Sequence, residues 1–210
     1  VEHAVPQNAG AGLLKSNYVI KPDVGVNPNV SLLTPQQVAT AYNFPASTGV
    51  GQCIGILEFG GGYLPSDLTN SFGDIGLSAP TVVDVSVNGG SNSPGDPADV
   101  EVMLDIIVAG GVAPSSKLAI YFAPNTLGDF ANALSAAVHD VVNNPSTISI
   151  SWGLGETYWD NGSIAALDSA LQAAAALGIS VYVASGDYGS ESYNGEPSYT
   201  VQYPAASPYI

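Results

Sequence analysis

From Cys53 onward, short runs of apolar and β-branched residues alternate with longer stretches in which alanine and leucine recur at helical spacing. The runs Cys53–Glu58, Thr81–Val87, Leu118–Ala123, Thr147–Ser151 and Ile179–Ala184 predict strands. The stretches at about Pro65–Ile75, Pro97–Gly110, Leu127–Val142 and Ser163–Leu177 predict helices. Strands apolar on both faces, each followed by a helix, imply an α/β domain whose mostly parallel sheet is flanked by helices on both faces. Ahead of this pattern, Thr34-Pro35 supplies an N-cap with proline at the first helical position, opening a short helix through Ala39 and Tyr42. Residues 1–33 keep neither period, as in Asn8-Ala9-Gly10-Ala11-Gly12 and Val26-Asn27-Pro28-Asn29, and read as an extended arm or linker. That leaves 34–210 as a single domain.

In a sheet of this kind, function gathers at the carboxyl ends of the strands. Three such ends carry polar or glycine-rich residues: Glu58-Phe59-Gly60-Gly61-Gly62, Ser151-Trp152-Gly153 and Ser185-Gly186-Asp187-Tyr188-Gly189. Strand-to-helix turns need glycine in any case, so the glycines alone belong to turn geometry. No Gly-Lys-Ser/Thr follows Gly60-Gly61-Gly62, and no Gly-x-Gly-x-x-Gly opens a helix, which argues against a nucleotide loop.

Charge narrows the partners. The chain has 18 Asp plus Glu against 3 Lys plus Arg, a formal net charge of −15. Nucleic acid is excluded as a partner, because phosphate binding relies on cations this chain hardly has. A hydrophobic content of 46% excludes a disordered acidic protein. A surface of carboxylates that repel one another at neutral pH suits an acidic environment, where they lose charge. The single cysteine, Cys53, lies in an apolar run and reads as a buried thiol. No apolar run reaches membrane-spanning length, so no membrane partner is expected, and no signal peptide is visible at Val1.

The most informative stretch runs from Asp96 to Gly111. It predicts a helix with Asp96 as N-cap, proline in the first turn, Asp99 near the positive end of the dipole and glycine at its close. The helix interior is almost wholly apolar, which marks it as buried. Glu101 and Asp105 stand at i and i+4, stacked on one face one turn apart. An ionised carboxylate is costly in apolar surroundings, so such a pair shares protons and at least one member has a raised pKa. Two readings remain open here: a polar stripe on an apolar helix, or a general acid/base dyad.

Glu101-x-x-x-Asp105 is followed by Ala109-Gly110-Gly111-Val112-Ala113-Pro114, Tyr121-Phe122-Ala123-Pro124-Asn125, Ser149-Ile150-Ser151-Trp152-Gly153, Ala184-Ser185-Gly186-Asp187 and Pro204-Ala205-Ala206-Ser207-Pro208-Tyr209. In order and spacing these segments resemble the sedolisins, the serine-carboxyl peptidases, and most closely their kumamolisin-type members, from about Leu33 to Ile210. The resemblance implies a subtilisin-like fold whose catalytic groups suit acid. It implies Glu101 as general base for a serine nucleophile, Asp105 as its partner, and Asp187 as the acid that replaces an oxyanion-hole asparagine. It extends the network through Glu58 and Trp152, and implies that Ser151, Trp152 and Gly153 present backbone to an extended polypeptide substrate. Without the name the chemistry still holds, because a carboxylate base works well below the histidine pKa of about 6.5.

The Gly-Thr-Ser segment that holds the family's serine is absent from this sequence. The expectation is therefore a peptidase whose serine, and whose family-typical calcium site, lie on a C-terminal segment or second chain. No cofactor is expected within this chain, and residues 1–33 are read as the remnant of a propeptide linker. The expected function is a secreted, extracellular acid endopeptidase acting through an acyl-enzyme. A tripeptidyl aminopeptidase of the same family and an inactive peptidase-like binding module are the alternatives. A carboxylate glycosidase fits less well, since one helical turn sets Glu101 and Asp105 too close to flank a sugar. Asn29-Val30-Ser31 and Asn161-Gly162-Ser163 match the N-glycosylation pattern.

Overall fold

The computed structural model describes residues 33–190 and 200–210. The arm before Leu33, with Asn29-Val30-Ser31, and residues 191–199 of the Tyr- and Ser-rich loop from Ser190 to Gln202 lie outside the described residues.

Five parallel strands form the main sheet: β1 (Cys53–Glu58), β2 (Thr81–Ser86), β3 (Lys117–Phe122), β4 (Thr147–Ile150) and β6 (Ser180–Val183), in the order β2-β3-β1-β4-β6. The helices are α1 (Pro35–Ala41), α2 (Pro65–Asp74), α3 (Asp99–Val112), α4 (Leu127–Val138) and α5 (Asn161–Ala176). A second small pairing joins β5 (Leu154–Gly155) to β7 (Gln202–Tyr203) antiparallel.

Alternation of side chains across the central strands divides the core in two. On one face Ile56, Leu118, Ile120 and Phe122 meet Phe72 of α2 with Val102 and Ile106 of α3. On the other, Leu57, Tyr121, Ile148 and Ile150 meet Phe130 and Leu134 of α4 with Leu167 and Leu171 of α5. Helices thus cover both faces of the sheet, as the alternation of runs and helical stretches predicts. Burial on both faces holds for β1 and β3 but not for the edges: β2 is partly exposed along its length, and Tyr182 of β6 is 66% exposed.

Two predicted helix ends move for reasons local pattern does not carry. Asp96 is not the N-cap of α3; its carboxylate accepts from the Ala98 N–H in the preceding turn, and Ala98 stands at the cap without a side-chain bond. Helix α4 stops at Val138 rather than Val142, because Asp140 draws the N–H groups of Val142 and Asn143 into a turn at 2.8 and 2.9 Å and accepts the Tyr121 hydroxyl at 2.9 Å. Cys53 is buried and free, as the apolar run implies.

After β1 the chain builds β2 and β3 to one side; β4 and β6 then fill the other. The chain leaves β1 toward β2 and β3 and leaves β4 toward β6, so the carboxyl ends of these two paired strands are the switch point at which sheets of this kind place a ligand crevice. Among the described residues no helix is long and apolar enough to cross a membrane.

Candidate active site

Glu58 ends β1 with its side chain wholly enclosed. The indole Nε1–H of Trp152, two residues beyond β4, donates to Glu58 Oε2 at 2.9 Å, while Oε1 has no partner among the described residues. Burial pushes the Glu58 carboxyl well above its ordinary range; the nearby charge of Asp105 adds to this, and the Trp152 donor opposes it. The Trp152 ring is held edge-on to Phe59, 5.7 Å between centroids, and Phe59 is stacked on Phe130 at 4.5 Å.

The glycines after Glu58 set the distance to α3. Gly61 has φ +70°, and a Cβ there would sit 2.6 Å from the Ala98 carbonyl carbon. The Asp99 carboxylate closes the approach, accepting from Gly62 N at 2.8 Å and from Gly95 N at 2.6 Å. The Gly60–Gly62 run thus lets the first turn of α3 lie against the end of β1.

Glu101 and Asp105 share one face of α3. Glu101 is only 6% exposed and Asp105 is half-buried. Burial, then the charge of Asp105, then that of Asp187, push the Glu101 carboxyl up to about 7, against a hydrogen bond from Ser151. Burial pushes Asp105 up to about 6, again against Ser151. The Ser151 hydroxyl lies 2.8 and 2.9 Å from the two Asp105 oxygens. No cation relieves this cluster among the described residues: Lys117 pairs in register with Cys53 at the opposite end of the sheet.

Asp187 follows β6 on an exposed turn, close enough for its charge to act on Glu101. The turn is held from beneath, since Gly186 has φ +92° and a Cβ on it would meet Gln202 Cγ at 2.7 Å. A Cβ on Gly153 would lie 3.0 Å from the same residue's Oε1. Beyond it, Leu154 and Gly155 pair with Tyr203 and Gln202, so one edge of that segment is already occupied by the chain itself.

The crevice therefore gathers Glu58, Glu101, Asp105, Ser151, Trp152 and Asp187, with Gly153 to one side. Three of these carboxyls, Glu58, Glu101 and Asp105, hold their protons above the ordinary carboxylate range. Three features escape the sequence: the Ser151 hydroxyl on the dyad, the Asp99 clamp and the Gln202 support. Ser151 bonds across 46 residues and Asp99 across 37, so no local period announces either contact. Among the described residues no group of three or more His, Cys, Asp or Glu is arranged to hold a metal ion.

The profile of the subtilase family of S8 peptidases matches residues 82–210. The chain belongs to the subtilase family. Within it, similarity runs to the sedolisins. Kumamolisin of Bacillus sp. (strain MN-32) is 52% identical over 181 residues, spanning 84% of this chain and 33% of that protein. Tripeptidyl-peptidase sed5 of Aspergillus fumigatus is 28% identical over 209 residues, spanning 89% of this chain and 35% of that protein. The solved structure of Pseudomonas sedolisin, a serine-carboxyl proteinase in complex with two molecules of pseudo-iodotyrostatin, superposes with a TM-score of 0.72 at 27% identity. That match covers 84% of this chain and 52% of the solved one. The subtilase chain described here thus spans about a third of the curated relatives and half of the solved chain, and represents a partial, N-terminal stretch of a serine peptidase catalytic domain.

Proposed function

We propose that this chain carries the carboxylate machinery of an acid-acting serine-carboxyl endopeptidase. The observation that carries the reading is Glu101: a carboxyl only 6% exposed, pushed up to about 7 by burial and by the charges of Asp105 and Asp187, with no cation beside it among the described residues. Glu101 takes the proton of a serine hydroxyl as that oxygen attacks the scissile carbonyl. Asp105 and, behind it, Glu58 with Trp152 steady the charge and the proton. Asp187, when protonated, donates a hydrogen bond to the developing oxyanion; the tetrahedral intermediate then breaks its C–N bond, the leaving amine takes its proton from Glu101, and the serine ester left behind is hydrolysed by water activated at Glu101. Ser151, Trp152 and Gly153 offer main-chain groups to an extended substrate strand.

On this reading the serine, and the family's calcium, belong to polypeptide outside this sequence, and that segment is the chain's first partner. A propeptide, to which residues 1–33 belong, is the second. The enzyme works outside the cell in acid, on polypeptide rather than on nucleic acid or membranes; the −15 charge supports this.

The test is proteolysis of a denatured protein across pH by the complete polypeptide. The expected result is an acidic optimum that Glu101→Ala abolishes while circular dichroism stays unchanged. Full activity in that variant removes Glu101 from the mechanism. The similarity to a tripeptidyl-peptidase favours a second reading, release of tripeptides from a free N-terminus. Mass spectrometry of early products separates the two: internal fragments for the first, a ladder of tripeptides for the second.

A further inference from the structure

Helix α3 begins without a side-chain cap. Ala98 stands at the cap position and offers no side-chain bond, while Asp99, the first helical residue, spends both carboxylate oxygens on other segments. Oδ1 accepts from Gly62 N at 2.8 Å and Oδ2 from Gly95 N at 2.6 Å. Gly62 lies four residues beyond Glu58, and Asp99 two residues before Glu101. This carboxylate therefore ties the strand end that carries one acid to the helix turn that carries another. Other bonds of the segment after β1 lead to the loop before α3 and to β2: Ser93 N donates to Gly61 O at 3.1 Å, Tyr63 N to Asn92 Oδ1 at 2.8 Å and the Tyr63 hydroxyl to Asp84 Oδ1 at 2.7 Å.

We infer that Asp99 is a positioning residue for the reaction, holding the first turn of α3 against the end of β1 so that Glu101 stays enclosed. The inference rests on the peptidase reading above and gives Asp99 no contact with substrate. Two N–H groups on two separate oxygens fix a carboxylate in direction as well as distance, which a single bond does not. The contact they hold is backbone against backbone: a Cβ on Gly61 would stand 2.6 Å from the Ala98 carbonyl carbon and 2.7 Å from Asp99 N. Asp99 and Glu101 belong to the same helical turn, so a displacement at one is carried to the other.

The acids around Glu101 sit on different elements. Asp105 shares α3 with it, Asp187 acts from the turn after β6, and Glu58 acts from β1 on both Asp105 and Glu101. Asp105 moves with Glu101 when the helix moves; Glu58 and Asp187 stay behind. A shift of the first turn therefore alters the enclosure of Glu101 and its distance from Asp187, and leaves the spacing within α3 as it was. Burial is the leading cause of the raised Glu101 carboxyl, so the tie governs how tightly that carboxyl holds its proton.

Asp99→Ala and Asp99→Asn in the complete enzyme test the tie. Ala removes both acceptors, whereas Asn keeps one oxygen and sets an amide N–H where the other stood. With the tie gone Glu101 meets water and releases its proton more readily, so the acid limb of the kcat profile, where the base must ionise, moves to lower pH. Loss of position lowers kcat by about 100-fold, with KM little changed. Asn is expected to fall between Ala and the parent in both respects. Circular dichroism checks the fold, and where Ala folds incompletely the Asn variant decides alone. A parental kcat with a parental profile overturns the inference. So does a loss of activity that only follows the unfolded fraction and leaves the acid limb in place, which makes Asp99 a residue of stability alone. A change confined to KM overturns it as well. Activity surviving in Glu101→Ala strikes the peptidase mechanism itself, whereas a dead Glu101→Ala beside unaltered Asp99 variants strikes only the tie.

Discussion

The proton on Glu101 is a statement about stability as well as chemistry. Its carboxyl titrates near 7 in the fold and near 4.3 in an unfolded chain. Between those values the folded state binds the proton and the unfolded state does not, so stability falls as pH rises through this window. Below about pH 4 both states are protonated and the contribution is whole. Asp105, near 6 in the fold, acts in the same direction over a narrower range. Glu101→Gln keeps the shape of the neutral acid and has nothing to ionise. It is expected to be more stable than the parent at pH 7 by on the order of 1–2 kcal/mol and no more stable at pH 4. Thermal unfolding at the two pH values measures this, and an equal difference at both discards the raised carboxyl. Activity and stability would then be opposed at this residue, as is common where a site holds strained charges. Asp187 gives the complementary prediction for the proposed oxyanion contact. A carboxyl donates only while protonated, whereas an amide donates at any pH, so Asp187→Asn extends activity toward neutral pH at some cost in kcat. A profile that keeps the parental upper limit removes Asp187 from that contact.

Helix α3 shows how an element can be right in kind and misread in detail. Gly110 and Gly111 read as the helix end, yet both lie inside it. They are small because other elements press on them: a Cβ on Gly110 would stand 2.7 Å from the Phe72 ring and 2.9 Å from Pro80, and one on Gly111 would stand 2.8 Å from Pro35. Alanine is favoured over glycine in a helix by about 1 kcal/mol, but Phe72 is fully buried and has nowhere to retreat. Gly110→Ala is therefore expected to destabilise, by about 1–3 kcal/mol, in urea unfolding at pH 4; stabilisation would mean α2 and α3 do not pack this closely. The central strands were legible to within a residue or two because their apolar runs are local facts. So were Glu101 and Asp105, whose i, i+4 spacing declares a shared face without reference to anything else. The Ser151 hydroxyl on Asp105, the Asp99 clamp and the reason for Gly110 were not legible, because each depends on which distant element arrives opposite. The crevice formed by Glu58 and Ser151 follows from strand order, which alternation of elements does not specify.

At the scale of the molecule the controlling quantity is the excess of carboxylates. The sequence sets 18 acidic side chains against three lysines, Lys15, Lys21 and Lys117, and among the described residues Lys117 stands at the amino end of β3, away from the carboxyl cluster. At neutral pH the folded state crowds those charges together and the unfolded chain spreads them, so self-repulsion weakens the fold. Two routes relieve it: protonation in acid, and screening by salt, which shortens the Debye length from about 30 Å at 0.01 M to about 10 Å at 0.1 M. The routes overlap, and that overlap is the test. Added sodium chloride is expected to raise the melting temperature clearly at pH 7 and hardly at all at pH 4, where many of the surface carboxylates have already lost their charge. The buried cluster behaves differently, since enclosed groups are screened far less than exposed ones. The Glu101→Gln gain at pH 7 should therefore persist in salt that has abolished most of the surface effect. If salt erases that gain too, the Glu101 proton is governed by the general field of the acidic surface, and the crevice loses its claim to a tuned carboxyl pair.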